Sequence, residues 1–374
     1  MRKTFKYRIY PTHKQISTLE QTLDNCRWLY NHLLEQRINS WKNEKKSLSR
    51  FDQCNTFKQL KEEQPFLKEV YSQVLQNIAV RIDLAFRAFF RRIKSGEKPG
   101  FPRFCGKFRY NSFAYPQSGF KLLKNVIQLS KIGRVKVKFH RPIEGKIKTC
   151  TIKRTPTSKW FIYFACDINH VSIEQPIEPT IGVDMGLISF ATLSNSEQIK
   201  NPHFFRKEEK TLAKAQRKLS SQKKASKSRY KARKVVARIY ERISNKRHNF
   251  SHQLSRKLVN RFNTIVIEDL SINNMQKCNF HSINKSIGDA AWRQFLDLFI
   301  YKAAEAGKQI VKVNPAYTSQ NCSKCGSRHK LKLSDRVYHC PVCLLSLNRD
   351  VNAAINIRAL GLQRLGVSVE AQQL

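Results

Sequence analysis

The sequence predicts a chain of three structural parts: a helical module, a small antiparallel β module, and a mixed α/β region that carries a ribbon of four cysteines. Three observations predict this organisation. The spacing of apolar residues changes from alternating to helical and back to alternating along the first half of the chain. Short apolar strands then alternate with helical segments, and two close pairs of cysteines follow. The 374 residues, 41% of them hydrophobic, suffice for two to three domains with buried cores.

The first part begins with a strand and continues as two amphipathic helices. Apolar residues alternate over residues 5–9, and this strand stops at Pro11. From residue 15 to about residue 45 the apolar residues recur at helical spacing, which predicts a long helix. The same spacing predicts a second helix over residues 72–93, which ends at the Gly- and Pro-containing residues 96–100.

The second part, from about residue 104 to residue 168, alternates apolar and polar residues in the manner of antiparallel strands. The opening strand of the chain is a candidate member of this β module. Pro176 and Pro179 then mark a joint with the third part. The predicted strands are the segments around Phe108 and Tyr110, around Phe113 and Tyr115, and over residues 135–139, 147–152 and 160–166, of which the last two pair across a turn.

The third part reads as a mixed sheet covered by helices on both faces, because apolar strands alternate with helical segments. Between residues 200 and 261 there are 21 Lys and Arg against 3 acidic residues, with apolar residues at roughly helical intervals. This run predicts a helix or helical hairpin with one apolar edge and a basic exterior. The predicted strands are residues 180–186, 189–193, 264–270 and 309–313, with a further helix over residues 290–306.

The charge of the chain is strongly unbalanced: 70 Lys and Arg stand against 27 Asp and Glu, a formal net charge of +43. A chain with this charge needs a polyanionic partner, and nucleic acid is the usual one. An enzyme that acts only on small molecules has no need of such a charge. Intrinsic disorder is also disfavoured, because the hydrophobic and aromatic content is high.

Three acidic residues occupy unusual places in this basic chain. Asp184 lies in an apolar strand between two glycines, Glu268 closes another apolar strand, and Asp350 opens the last helix. Each alone could be a salt-bridged structural acid or a helix-capping residue. Together they can build an anionic cluster that binds two Mg²⁺ ions about 4 Å apart for phosphodiester cleavage.

Four of the ten cysteines form two close pairs, Cys322 with Cys325 and Cys340 with Cys343. Four thiolates in two such pairs match a closed, tetrahedral structural zinc site, with iron–sulfur ligation as a minor alternative. This cysteine usage is typical of a reducing compartment, and the longest apolar run, Phe161–Cys166, is too short to span a bilayer. We therefore expect a soluble protein that is cytosolic or associated with DNA.

The motifs resemble, in this order along the chain, those of the TnpB (OrfB) family of bacterial insertion sequences. The matching segments are IGVDMGL, VIEDLSINNM, the NPAYTSQNCSKCG and CPVC pairs, and RDVNAAINI. The YRIYPTHKQ opening and the FFRRIKSGEKPGFPRF segment are also similar to the N-terminal half of that family. The resemblance covers nearly the whole chain.

The resemblance implies a transposon-encoded, RNA-guided DNA endonuclease related to the type V CRISPR effectors, working in the bacterial cytosol. It implies that Asp184, Glu268 and Asp350 are the Mg²⁺-binding nuclease acids, and that the partners are a guide RNA from the transposon end and double-stranded target DNA. Gln73, Gln76 and Asn77 are candidates for reading a short motif beside the target. The alternative, that they are ordinary solvent-facing polar residues of a helix, accounts for them at least as well. The implied domains are a wedge strand (1–10), a helical recognition module (11–103), a wedge β-barrel (104–178), a RuvC-type RNase H-like nuclease domain (179–320), an inserted zinc ribbon (321–345), and the final RuvC helix with a tail (346–374).

Two residues depart from the family pattern. Leu344 follows the last cysteine, where a small residue such as Gly is expected, and Asn348 stands two residues before the final acid, where Asp is more common. Neither removes a metal ligand, so the departures concern loop geometry.

Other functions remain open at the level of the sequence. A nuclease-inactive guided repressor would be expected to lack one of the acids. A transposase that joins strands is compatible with the three acids, and an RNA-coating protein is compatible with the charge and the ribbon but leaves the buried acids unexplained.

Overall fold

The computed structural model describes residues 2–168, 176–278, 280–332 and 334–367. The chain divides into two compact units, an N-terminal unit (Met1–Asn169) and a C-terminal unit (His170–Leu374). Within the described ranges no helix is both long enough and apolar enough to cross a membrane. The expected C-terminal tail lies outside these ranges from residue 368 onward.

Helices and a sheet share one core in the N-terminal unit. The helices are α1 (His13–Glu44), α2 (Arg50–Asn55), α3 (Phe57–Glu63) and α4 (Ser72–Lys94), with a 3₁₀ turn at Pro65–Glu69. A capping box starts α1: the Gln15 amide N–H donates to Thr12 Oγ1, and the Thr12 N–H donates to Gln15 Oε1. The two helices predicted from periodicity, α1 and α4, are confirmed, and their apolar faces join the strands in a common core.

The sheet of the N-terminal unit has seven antiparallel strands. They are β1 (Arg2–Tyr10), β2 (Ser112–Tyr115), β3 (Phe120–Leu123), β4 (Val126–Leu129), β5 (Gly133–Lys138), β6 (Lys146–Arg154) and β7 (Trp160–Asp167), in the order β2-β6-β7-β1-β5-β4-β3. Because β1 pairs with both β5 and β7, the opening strand belongs to the β module, as predicted.

The sheet is barrel-like because its two edge strands, β2 and β3, are neighbours in the chain and are joined by residues 116–119. The Tyr115 hydroxyl at the end of β2 donates to the Ser130 carbonyl (3.0 Å), and the Ser130 N–H donates to the Gly119 carbonyl (2.8 Å). These bonds tie the connection to the opposite side of the sheet. The expected antiparallel barrel is therefore present in outline.

One predicted strand segment, around Phe108 and Tyr110, is wrong. The Arg109 N–H donates to the Gly106 carbonyl in a turn, and strand β2 begins only at Ser112. The Tyr110 hydroxyl instead accepts a hydrogen bond from Arg81 of α4 (3.2 Å). The alternating aromatic residues here pack against helices. A period of two in the sequence cannot distinguish such packing from strand pairing.

The C-terminal unit is built on a five-stranded mixed sheet in the order β10-β9-β8-β11-β12. Strands β8, β11 and β12 are parallel, and β9 and β10 continue antiparallel. The strands are β8 (Thr180–Asp184), β9 (Ser189–Leu193), β10 (Gln198–Lys200), β11 (Thr264–Glu268) and β12 (Gln309–Val313), with a separate hairpin β13 (Val337–His339) and β14 (Ser346–Asn348). The helices are α5 (Phe204–Ser221), α6 (Lys227–Arg261), α7 (Ile272–Cys278), α8 (His281–Ala290), α9 (Trp292–Glu305) and α10 (Arg349–Arg364).

Helices cover both faces of this sheet, as its apolar strands predict. Ile265 and Ile267 of β11 face the cluster formed with α6 and α9. Val266, between them, faces the opposite cluster with Ile357 of α10. Side chains alternate along a strand, so a strand that is apolar at every position is buried on both sides.

The basic run forms a helical hairpin of α5 and α6. Its apolar edge is a small cluster in which Leu212 of α5 meets Ile239 and Ile243 of α6. Two of its acids are bound by neighbouring cations: Glu208 by Arg242 and Lys246, and Glu209 by Lys285 and Arg206, within the same unit. The exterior of the hairpin is therefore dominated by positive charge.

Helix α10 lies unusually close to strands β8 and β11. A Cβ atom added at Gly182 of β8 would lie 2.1 Å from the Ala354 carbonyl oxygen of α10. A Cβ added at Gly361 of α10 would lie 2.3 Å from a methyl group of Val266 in β11. The helix backbone can approach the sheet this closely only because both positions are glycine.

We predict that Gly182→Ala lowers the free energy of unfolding by about 2–3 kcal/mol or more, because the added methyl overlaps the backbone of α10. Urea denaturation measures this. The matched control is Gly288→Ala in helix α8, where the nearest atom to the new methyl is 3.8 Å away. This control should leave stability unchanged or raise it by up to about 1 kcal/mol. Wild-type stability of Gly182→Ala would contradict the close approach.

Candidate active site

Two of the predicted site acids lie side by side at one edge of the C-terminal sheet. Asp184 is the last residue of β8 and Glu268 the last of β11. The parallel register pairs Val183 with Ile267, so the next two positions, Asp184 and Glu268, are neighbours. The carboxyl ends of parallel strands form the usual site edge of an open α/β sheet. The structure thus brings these two acids together.

The third acid reaches the same edge on α10. Asp350 is the second residue of this helix, and α10 packs on β8 through the close contact at Gly182. Asn348 caps the helix: its Oδ1 accepts the N–H groups of Asp350 (3.0 Å) and Val351 (3.3 Å). Asn is a favourable N-cap residue, so this departure from the family pattern preserves the start of the helix.

The pKa of Asp184 reflects the two other acids near it. Burial raises the pKa of Asp184 to about 8, and the negative charges of Glu268 and Asp350 add to this shift while Arg349 opposes it. Burial also raises the pKa of Glu268, opposed by a hydrogen bond from Thr318. A cluster of like charges that is partly withdrawn from water is unfavourable until a cation compensates it.

The donor set of this cluster fits Mg²⁺, since carboxylate oxygens are the ligands that this ion prefers. Among the described residues, the three acids do not bring their oxygens within 4.8 Å of one another as a set. The neighbouring Asp269 points away from the cluster, where Lys312 pairs with it at 3.1 Å and its side chain is 64% exposed.

Two residues beside the acids escaped the sequence reasoning. The Thr318 hydroxyl donates to Glu268 Oε1 at 2.6 Å, and both side chains are buried. Arg349 is one residue before Asp350 and contributes the positive charge that acts on Asp184. Nothing in the sequence pointed to Thr318. The polar segment that carries it, between β12 and the first cysteine, has no apolar periodicity from which a contact could be inferred.

The four paired cysteines form a compact cluster, as their spacing predicts. The sulfur atoms of Cys322, Cys325, Cys340 and Cys343 all lie within 4.8 Å of one another. The Cys322–Cys343 and Cys325–Cys340 sulfur pairs are each 3.5 Å apart. Tetrahedral zinc–thiolate ligation requires about 3.8 Å between sulfurs. These four residues could therefore hold a zinc ion, with no open position for substrate.

Hydrogen bonds favour the thiolate at Cys340, whereas at Cys343, although a hydrogen bond from the Leu345 backbone acts in the opposite direction, burial and the neighbouring cysteines raise the pKa to about 12. Although burial acts in the opposite direction, bonds from Ser327 and from the backbone N–H groups of Cys343 and Val342 lower the pKa of Cys340 to about 5. Zinc binds cysteine in this deprotonated form.

Leu344 follows the last cysteine with a left-handed backbone conformation (φ 59°), and its side chain is 83% exposed. Its N–H donates to the Cys340 carbonyl at 3.0 Å, which closes the turn around the cluster. This conformation favours glycine, which explains why the family pattern has a small residue here.

The candidate motif-reading residues occupy the first turns of α4 in the N-terminal unit. Gln73 Oε1 accepts the backbone N–H of Ser118 (3.1 Å), and Asn77 Oδ1 accepts from Arg81 (3.1 Å). Gln76 is exposed. Gln73 and Asn77 thus have structural contacts, and a role of the three residues in DNA reading stays a prediction.

Comparisons with protein families match three stretches of the chain. Residues 163–279 match the OrfB family described as "Probable transposase". Residues 292–357, which include the ribbon and most of α10, match "Cas12f1-like, TNB domain". Residues 1–46 match a "Helix-turn-helix domain", a range that here consists of β1 and α1.

Two curated relatives match over nearly the whole chain. A protein of Streptomyces pristinaespiralis named "Putative RNA-guided DNA endonuclease" is 35% identical over 370 residues, 97% of this chain and 90% of the relative. The "Putative RNA-guided DNA endonuclease InsQ" of Escherichia coli K12 is 29% identical over 377 residues, 96% of this chain and 92% of the relative.

A solved structure shares the fold. The protein in the cryo-EM structure of a Cas12f1–sgRNA–target DNA complex superposes with a TM-score of 0.60 at 13% sequence identity, covering 96% of this chain and 98% of that one.

We predict that Asp184→Asn stabilises the protein at alkaline pH when no Mg²⁺ is present. The folded-state pKa of Asp184, about 8, lies above its ordinary value of 3.8, so ionisation costs stability as pH rises from about 4 through 8. The variant cannot ionise. Its unfolding free energy should match that of the wild type near pH 4 and exceed it by a few kcal/mol above pH 8.

Thermal and urea denaturation of the variant and the wild type, compared at each pH between pH 4 and pH 9, measure this difference. Asp269→Asn is the control, because that exposed acid is paired with Lys312 and should give no alkaline gain. A constant difference between Asp184→Asn and wild type at all pH values would contradict the electrostatic strain.

We predict that Leu344→Gly strengthens the ribbon by about 1 kcal/mol, because it relieves a left-handed backbone conformation at a residue with a side chain. Zinc release to a chromogenic chelator should then be about fivefold slower. The control, Val342→Gly, changes an exposed residue of the same turn that lacks the left-handed conformation, and should release zinc at the wild-type rate or faster. Faster release from Leu344→Gly would refute the strain.

Proposed function

The chain belongs to the TnpB (OrfB) family, and from this membership and the arrangement of its acids we propose that it is an RNA-guided, Mg²⁺-dependent DNA endonuclease encoded by a transposon. One observation carries the proposal: in a chain of net charge +43, Asp184, Glu268 and Asp350 converge on one sheet edge. Such an edge attracts cations, while the rest of the surface attracts nucleic acid. The names of the two full-length relatives support the same activity.

We assign the C-terminal sheet and its helices to a RuvC-type RNase H-like nuclease domain, with the cysteine ribbon inserted before α10. The mixed sheet, with acids on two neighbouring strand ends and on a final helix, supports this assignment. The ribbon would hold a structural zinc ion. The helical and β modules of the N-terminal unit would be the recognition and wedge domains, with the boundaries expected from the sequence.

The catalytic residues would act by holding metal. Asp184, Glu268 and Asp350 would bind two Mg²⁺ ions, which, when bound, activate water for in-line attack and stabilise the leaving oxygen. Glu268 is held by the Thr318 hydroxyl, and Asp350 is fixed at the start of a capped helix. Arg349 lies where it offsets part of the negative charge around Asp184. No side chain is required as a covalent nucleophile.

Nucleic acid would be held by the basic surfaces. The α5–α6 hairpin, with 21 Lys and Arg against 3 acids over residues 200–261, and the basic N-terminal unit would bind a guide RNA and its DNA hybrid. Base pairing with the guide would select the target. Gln73, Gln76 and Asn77 remain the candidates for reading the motif beside it.

The experiment that tests this function begins with the RNA that co-purifies with the protein. Sequencing should reveal one enriched RNA, and the variable 3′ end of that RNA should direct cleavage of matching DNA in the presence of Mg²⁺. The absence of a discrete RNA, or binding of the matched DNA without cleavage, would overturn the nuclease proposal. Joined strands as the product would instead indicate a transposase.

We predict that Asp184→Ala lowers the cleavage rate at least about 100-fold, because metal binding contributes several kcal/mol to the barrier reduction. Guide RNA binding, measured by filter retention, should be unchanged. Asp269→Ala is the matched control and should cleave normally, because Asp269 lies outside the cluster. Robust cutting by Asp184→Ala would refute the site.

A further inference from the structure

We propose that Thr318 is a positioning residue for Glu268, and that helix α10 and the root of the cysteine ribbon hold Thr318 in place. This inference rests on the proposed nuclease function, since it assigns a task to a residue beside the proposed metal site. It links the ribbon to the acid cluster through hydrogen bonds between named atoms.

The contact between the Thr318 and Glu268 side chains is short and buried. Thr318 Oγ1 donates to Glu268 Oε1 at 2.6 Å, and the two residues are only 4% and 8% exposed. The same hydroxyl lies 3.2 Å from the Pro315 carbonyl, a longer and neutral contact. A hydroxyl bound to a carboxylate at this distance makes a strong, charge-assisted hydrogen bond. One oxygen of Glu268 is thereby fixed, and the other stays available to a cation.

Helix α10 holds the segment that carries Thr318. The Asn356 side-chain amide donates to the Thr318 carbonyl (2.9 Å) and to the Asn321 carbonyl (2.7 Å). The Asn352 amide, one turn earlier and fully buried, also donates to the Asn321 carbonyl (2.8 Å), and its oxygen accepts the N–H of Ser323 (2.9 Å). The backbone on both sides of Cys322 is therefore clamped to α10.

Helix α10 thus supports the positions of both Asp350 and Glu268. It carries Asp350 in its first turn and, through Asn352 and Asn356, fixes the segment from which Thr318 reaches Glu268. Because Cys322 lies in this segment, the ribbon is anchored to the same polar network. A merely structural role for the Thr318 hydroxyl, satisfying a buried carboxylate, would alter stability without altering metal affinity. The two roles therefore predict different measurements.

The test compares Thr318→Val, which keeps the shape and removes the hydroxyl, with Thr318→Ser, which keeps the hydroxyl. A hydrogen bond to a charged group is a strong one, so Thr318→Val should weaken metal binding about tenfold or more. Binding of Mn²⁺, measured by electron paramagnetic resonance on the zinc-loaded protein, reports the effect directly. The half-saturating Mg²⁺ concentration for cleavage should rise by the same factor, and cleavage at saturating Mg²⁺ should fall less. Thr318→Ser should restore both values.

The matched control is Thr180→Val, which removes another buried threonine hydroxyl of the same unit. That hydroxyl donates to the Ile177 carbonyl and lies at the start of β8, away from the acids. It should leave Mn²⁺ affinity unchanged. If Thr318→Val unfolds, Thr318→Ala removes the same hydroxyl without placing a methyl group in its position and carries the same expectation.

Three outcomes overturn the inference: wild-type Mn²⁺ affinity in Thr318→Val, a defect in Thr318→Ser equal to that in Thr318→Val, or no Mn²⁺ binding by the wild type. Failure of the proposed function is distinct. A wild-type protein that binds Mn²⁺ but never cuts guided DNA would refute the nuclease activity, whereas the difference between Thr318→Val and Thr318→Ser in Mn²⁺ affinity would still decide the role of Thr318.

Discussion

The close packing of helix α10 on the C-terminal sheet is the constraint on which the candidate site depends. Two glycines, Gly182 in β8 and Gly361 in α10, leave room for backbone and side-chain atoms that a methyl group would displace. This approach delivers Asp350 to the edge where β8 and β11 end. The same helix clamps the segment from Thr318 to Ser323. Without this packing, Asp350 would lie away from the edge that carries Asp184 and Glu268.

The electrostatic environment of the three-acid cluster differs from that of other acids in the chain. The chain carries a net charge of +43. Acids of the basic hairpin, such as Glu208 and Glu209, form ion pairs with neighbouring Lys and Arg side chains. Asp184 differs from these: it is partly buried beside two further carboxylates, and burial together with their negative charges raises its pKa to about 8. Folding brings these charges together at a cost in stability that a bound cation would offset. Strain of this kind is typical of functional sites.

Much of the fold follows from local pattern. The alternation of β1, the helical spacing of α1 and α4, and the doubly buried strand β11 were all readable from residue spacing. The exception around Phe108 and Tyr110 arose because aromatic residues packed against a helix can alternate as strand residues do. Leu344 departs from the family pattern, and its left-handed backbone conformation is the reason that a small residue suits this position.

The sequence by itself determined the long helices, most strands of the two sheets and the four-cysteine ribbon, and it singled out the three acids as candidates, because these depend on short-range spacing and on charges out of place in apolar strands. Only the tertiary structure decided that Asp184 and Glu268 are neighbours, since parallel register is set by packing between distant segments. It also decided the partnership of Thr318 with Glu268, which lie fifty residues apart and share no periodic pattern. Such contacts arise when the sheet, α10 and the ribbon pack, and no local rule of spacing encodes them.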